Sequence, residues 1–108
     1  MEKQKIIPQY KLMLFYDLPQ TNVESYLNFV MTEMVPQVQA HNVIMFQVFH
    51  TVWGNGCPLR QAEFVAEDLE TIHELLDSED WHALETKLLG YTTNYRRKVV
   101  KFRPGFQI

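Results

Sequence analysis

The chain has 108 residues and a mass of 12.8 kDa, with 10 Lys and Arg against 13 Asp and Glu and a formal net charge of −3. That length suits a single domain over residues 1–108, because two domains would each fall near the lower limit of independent stability. Hydrophobic residues at 46% and charged residues at 21% exclude general disorder, and a pI near 5.7 leaves out the basic footprint that a non-specific nucleic-acid binder needs. No apolar run approaches bilayer length, and residues 1–8 carry no hydrophobic signal region, so a cytoplasmic chain with no membrane partner is expected. The one cysteine, Cys57, excludes an intrachain disulfide and fits a reducing compartment.

Residues 10–18 are aromatic and aliphatic and stop at Pro19, which predicts a strand. Thr21-Asn22-Val23-Glu24 has the form of a capping box. Val23, Tyr26, Leu27, Val30, Met31 and Met34 then fall on one helical face, and Pro36 should end or kink that helix. Residues 43–53 and 59–67 read as two strands of a hairpin across the turn 54–58. A five-residue turn would set His50 opposite Ala62 and Val52 opposite Arg60. Asp68 can cap a helix carrying Leu69, Ile72, Leu75 and Leu76. Ser78-Glu79-Asp80 opens another, with Trp81, Leu84, Leu88 and Tyr91 on one face, and residues 96–106 predict the last strand.

The resulting order is β-α-β-β-α-α-β. It predicts an α+β, ferredoxin-like split βαβ fold: a four-stranded antiparallel sheet with its helices on one face. Alternation splits each strand between two faces. Tyr10, Leu12, Leu14 and Tyr16, the even positions of 44–52 and 60–66, and Val100 and Phe102 form a nearly apolar set that belongs under the helices. The opposite set mixes charges with Met13, Phe15, Met45, Phe49, Trp53 and Val65. Uncovered apolar surface of that kind marks an interface. A homodimer through the helix-free sheet face, including Phe15, Phe49 and Trp53, is the self-complementary solution.

At this length the element order resembles the dimeric α+β barrel superfamily, which includes antibiotic-biosynthesis monooxygenases, EthD-like and NIPSNAP-like proteins. Leu75-Leu76-Asp77-Ser78-Glu79-Asp80-Trp81 is similar to the end of their second helix and the kink after it. Residues 88–100, through Tyr91 and Tyr95 to Lys98-Val99-Val100, are similar to their closing helix and strand. The likeness covers nearly the whole chain through hydrophobic patterns and carries no catalytic signature. It implies a small hydrophobic molecule held between sheet and helices, oxidised in some members without metal or flavin. Haem-degrading relatives use an Asn on the first strand, and residues 10–18 contain none.

On the helix-facing side, one end of the sheet should gather Tyr16, His50 and Arg60, with Tyr91, Asn94 and Tyr95 returning nearby. A few polar groups converging in an apolar layer are the mark of a small-molecule pocket. His50 is the residue type that moves protons near neutral pH, Arg60 can hold a carboxylate or developing enolate, and Tyr16 and Tyr91 supply hydroxyls and aromatic walls. The candidate catalytic residues are therefore His50, Arg60 and Tyr16, and the candidate ligand-binding residues are Tyr91 and Asn94. His41, His50, His73 and His82 lack metal-ligand spacing, and no Gly-rich loop opens a helix, so no metal and no cofactor is expected. The basic run Tyr95-Arg96-Arg97-Lys98 with Lys101 and Arg103 reads as a solvated strand edge, with no nucleic acid as partner. Two functions stay open. One is an enzyme, a cofactor-independent monooxygenase or isomerase acting on a small aromatic or polyketide-like molecule. The other is a non-catalytic ligand-binding or protein-interaction module.

Overall fold

The computed structural model describes residues 7–54, 56 and 59–103. Strand β1 (Tyr10–Asp17) leads through a 3-10 turn (Gln20–Asn22) into α1 (Val23–Phe29), a π-helical turn (Val30–Met34) and α2 (Val35–Ala40). Strands β2 (Ile44–His50) and β3 (Arg60–Ala66) follow, then α3 (Leu69–Asp77), α4 (Glu79–Tyr91) and β4 (Thr93–Lys101). The sheet order is β2-β3-β1-β4, with all three neighbouring pairs antiparallel. This is the α+β, ferredoxin-like arrangement that the element order predicts.

Pro36 does not end the first helical segment. A proline inside a straight α-helix removes one hydrogen bond and clashes with the carbonyl four residues back. Here a π-turn directly precedes it, closed by the Val35 N–H on Val30 O five residues back, and the helix continues through Pro36 after this wider turn. The buried stripe is narrower than expected. Tyr26, Phe29, Val30, Met34 and Val38 are buried, while Leu27 and Met31, expected on the same face, are 45% and 66% exposed. The capping box is not formed either. The chain is already turning at Gln20, so the Thr21 hydroxyl meets Asn22 Oδ1 at 3.5 Å and caps nothing in α1. The two later caps do form: Asp68 Oδ1 accepts from Thr71 N at 2.8 Å, and Ser78 Oγ accepts from Trp81 N at 3.1 Å.

The core lies between the sheet and the helices, around Leu12, Leu14, Phe64, Ile72, Trp81 and Leu88. Two irregularities change the strand faces from simple alternation. Strand β2 carries an extra residue between Met45 and Gln47. Met45 therefore packs on the core, whereas Phe46 turns to the helix-free face and meets Phe102 edge to face at 5.4 Å. In β4, Val99 pairs with Leu12 and packs on the core, so Val100 and Phe102 lie on the opposite face from the one expected. Two adjacent valines carry no alternation, which is why the sequence leaves that parity undetermined.

The hairpin register is also two residues off. His50, not Val52, stands opposite Arg60, and Thr51 N donates to Leu59 O at 2.7 Å. Strand β2 stops at His50, so Val52 and Trp53 stand in the connection, 93% and 94% exposed, and Trp53 is not part of the sheet face. Cys57 lies outside the described residues.

The helix-free face holds Phe15, Phe46, Phe49, Val100 and Phe102 around a polar centre. Lys11 Nζ donates to Glu63 Oε1 at 3.1 Å, Gln47 Nε2 to the same oxygen at 2.9 Å and Gln61 Nε2 to Oε2 at 2.6 Å. Lys11 sits 6.0 and 5.4 Å from the ring centres of Phe46 and Phe102, which helps to bury it. Burial alone would raise the Glu63 carboxyl, but the three hydrogen bonds and the lysine charge outweigh it and hold Glu63 below the usual glutamate range.

Candidate functional site

The strand register brings Tyr16, Arg60 and His50 into one row across β1, β3 and β2, since Arg60 is the partner of both other residues. Paired residues share a face of the sheet, here the helix side. The row runs from core to solvent: Tyr16 is buried, Arg60 is half-buried and His50 is exposed.

At the buried end, the Tyr16 hydroxyl is hydrogen-bonded to the Tyr26 hydroxyl from α1. The two rings meet edge to face at 5.8 Å, and Tyr95 stacks on the other side of Tyr16 at 6.5 Å. Burial first, and then the neighbouring Tyr26, push the Tyr16 phenol far above the ordinary tyrosine range, against an opposing pull from Arg60. Tyr16 therefore stays protonated and can act as a donor, not as a base. Tyr95 is held protonated in the same way, by burial and then by its 2.6 Å hydrogen bond to Glu85 Oε2, which also takes Arg97 Nε at 3.1 Å.

In the middle of the row, the Arg60 guanidinium lies 5.3 Å from the Tyr26 ring centre. Its Nη2 reaches His50 Nδ1 at a long 3.5 Å. Arginine only donates, so Nδ1 is the acceptor in this contact. The Arg60 Nε is buried and meets no acceptor among the described residues. A buried charged donor without a partner is costly and calls for an oxygen or an anion.

Tyr91 and Asn94 have other partners. The Tyr91 ring packs on Phe29 at 5.6 Å, and its carbonyl accepts from Asn22 Nδ2 at 3.0 Å. Asn94 adopts φ 54° in the bulge where β4 passes Tyr16, a conformation that Asn tolerates better than most residues. Its Nδ2 donates to Asp17 Oδ2 at 2.8 Å, while Asp17 Oδ1 accepts from Leu59 N at 2.8 Å. The Asn94 bond first, and then the Leu59 N–H, hold the Asp17 carboxyl below the usual range. Before the bulge, the pairing of Phe15 with Arg96 already sets Tyr95 beside Tyr16 on the helix side. An open groove of about 200 Å³ begins one residue beyond each member of the row, lined by Asp17, Thr51, Val52, Trp53, Gly54 and Leu59.

Tyr26 is the residue that sequence reasoning assigns only to a packing face. The available signal is its hydroxyl, which a buried tyrosine must satisfy. Glu85 gives no signal, because its role depends on how α4 crosses β4. Among the described residues, no three His, Cys, Asp or Glu side chains converge as metal ligands, and no helix is long and apolar enough to cross a membrane.

No protein-family model matches the chain, and no curated protein matches it in sequence. Solved structures match it in fold. A NIPSNAP family protein from Agrobacterium tumefaciens is 14% identical, with 98% of this chain and 95% of that one covered and a TM-score of 0.65. An ethyl tert-butyl ether D family protein from Bacillus halodurans is 10% identical, with 88% and 99% covered and a TM-score of 0.60. A dimeric ferredoxin-like protein of unknown function from Thermobifida fusca is 8% identical, with 94% and 99% covered and a TM-score of 0.67. At these identities the likeness establishes the fold, and it is the fold of the superfamily that the element order resembles.

Proposed function

We propose that the chain is a small-molecule-binding dimeric α+β barrel protein that holds a small aromatic or polyketide-like molecule at the Tyr16–Arg60–His50 row. The observation that carries this reading is the buried Arg60 Nε without an acceptor, in a row that runs from a protonated phenol to an exposed histidine. A ligand carboxylate, phenolate or enolate would take that donor. The adjoining groove sets the side chains of Val52, Trp53 and Leu59 beside the polar Asp17 and Thr51, which gives such a molecule both apolar and polar contacts. As an enzyme, the protein would be a cofactor-independent monooxygenase or isomerase, with Arg60 stabilising the oxyanion and His50 moving the proton.

Salicylate is a suitable probe by calorimetry. Hydrogen bonds to charged groups contribute about 1.5–3 kcal/mol, so Arg60→Gln should weaken binding by about tenfold or more. Equal affinity in the variant, or no binding of any aromatic carboxylate, contradicts the reading.

The second reading is a non-catalytic ligand-binding or protein-interaction module. It draws on the Tyr16 hydroxyl, which is buried and already engaged by Tyr26.

The dimer belongs to the same proposal. Phe46 and Phe49 are each 48% exposed on the helix-free face, beside a polar centre that satisfies itself. A second copy laid on the β2 side of that face would bury both phenylalanines and leave the opposite β4 edge, with Arg96 and Lys98, uncovered. Light scattering should give about twice 12.8 kDa. Phe49→Asp should give the monomer mass, because an unpaired carboxylate is expensive to bury. A monomer mass for the unaltered chain removes the dimer from the account.

A further inference from the structure

We propose a second ligand site, independent of the row: a groove along the β4 edge that binds the phosphate group of a small phosphate monoester. Arg96, Arg97, Lys98, Lys101 and Arg103 are five of the chain's 10 basic residues, and no Asp or Glu lies between 96 and 103. A chain of net charge −3 thus concentrates half of its cations on one edge strand and the residues just after it. That is the kind of local field that draws anions to one place on a protein.

The edge also has a receiving shape. An open groove of about 360 Å³ is lined by Phe15, Arg96, Arg97 and Lys98. Arg97 is engaged by Glu85 at 3.1 Å. Arg96 and Lys98 have no carboxylate within ion-pair distance among the described residues. Asp17, whose charge Arg96 shares at longer range, already has both oxygens bonded by Leu59 and Asn94. The two cations instead lie over one ring, 5.9 and 5.6 Å from the centre of Phe15. They stand two residues apart on a strand, so their backbones are about 7 Å apart on the same face.

Two like charges gathered over one ring repel each other, and a single dianionic group meets both. The planar guanidinium binds two oxygens side by side, and the ammonium takes a third as a point charge. A phosphate monoester has that charge and that fan of oxygens, and a monocarboxylate has neither.

Phenyl phosphate titrated into the full chain, followed by calorimetry and by amide shifts, tests the proposal. Saturable binding with shifts at Phe15, Arg96 and Lys98 is expected. The double substitution Arg96→Gln with Lys98→Gln should lower affinity tenfold or more and leave the urea midpoint unchanged. Arg60→Gln should leave phenyl phosphate affinity unchanged, which separates this site from the row. Benzoate should bind the groove at least tenfold more weakly. Undiminished affinity in the double variant overturns the proposal, and so does a loss produced by Arg60→Gln instead. Binding of a thymidine oligonucleotide more than a hundredfold tighter than phenyl phosphate also overturns it, in favour of a nucleic-acid edge.

Discussion

Replacing Glu63 by alanine should lower stability by about 3–5 kcal/mol, the range for breaking a buried ion pair from one side. Lys11 and Glu63 keep only 9% and 4% of their side-chain surface exposed. Removing the carboxylate leaves the lysine charge under Phe46 and Phe102 and strips Gln47 and Gln61 of their shared acceptor. Urea denaturation should show the loss as a lower midpoint. Lys11→Met combined with Glu63→Leu should recover most of it, because the desolvation of both charges is then removed together. A single variant as stable as the double would contradict the reading.

The same pair has a pH signature. The folded Glu63 pKa is lowered, so the unfolded chain binds this proton more readily than the folded one. The contribution is complete above the ordinary glutamate value of about 4.3 and is lost as pH falls through the lower folded value. Midpoints measured from pH 7 down to pH 3 should fall less steeply in the Lys11→Met, Glu63→Leu variant than in the unaltered chain.

The second large effect is on turnover. With a substrate that occupies the row, His50→Ala should lower the rate by about 10²–10⁴-fold, the usual span for a lost acid–base group. His50 Nδ1 lies 3.5 Å from Arg60 Nη2, so an oxyanion on the guanidinium stands within reach of the imidazole. Tyr16 cannot replace it as a base, because burial and Tyr26 keep its phenol protonated. Phe46→Leu is the matched comparison. Phe46 lies on the other face of the sheet, and its substitution should leave turnover largely intact. Full activity in His50→Ala would leave the row as a binding site and favour the non-catalytic reading.

The element order was legible because each boundary has its own chemistry. Pro19, the Asp68 and Ser78 caps and the apolar faces of α3 and α4 act locally. What was not legible depends on insertions and on neighbours. The extra residues at Phe46 and Asn94 each shift a face by one position, and nothing in alternating hydrophobicity marks a shift before it happens. The row was legible because Tyr16, His50 and Arg60 are polar on an apolar parity. Its register was not, because the β2–β3 connection is longer than its Gly and Pro residues suggest. Tyr26 joins the row only through the packing of α1 on the sheet.

The most direct test of the account is amide-shift mapping of the isotopically labelled protein as salicylate is added. Saturable shifts clustered at Tyr16, His50, Thr51, Leu59 and Arg60, and lost in Arg60→Gln, are expected. Shifts confined to the helix-free face, around Phe46, Phe49 and Phe102, or shifts that persist unchanged in Arg60→Gln, would contradict it.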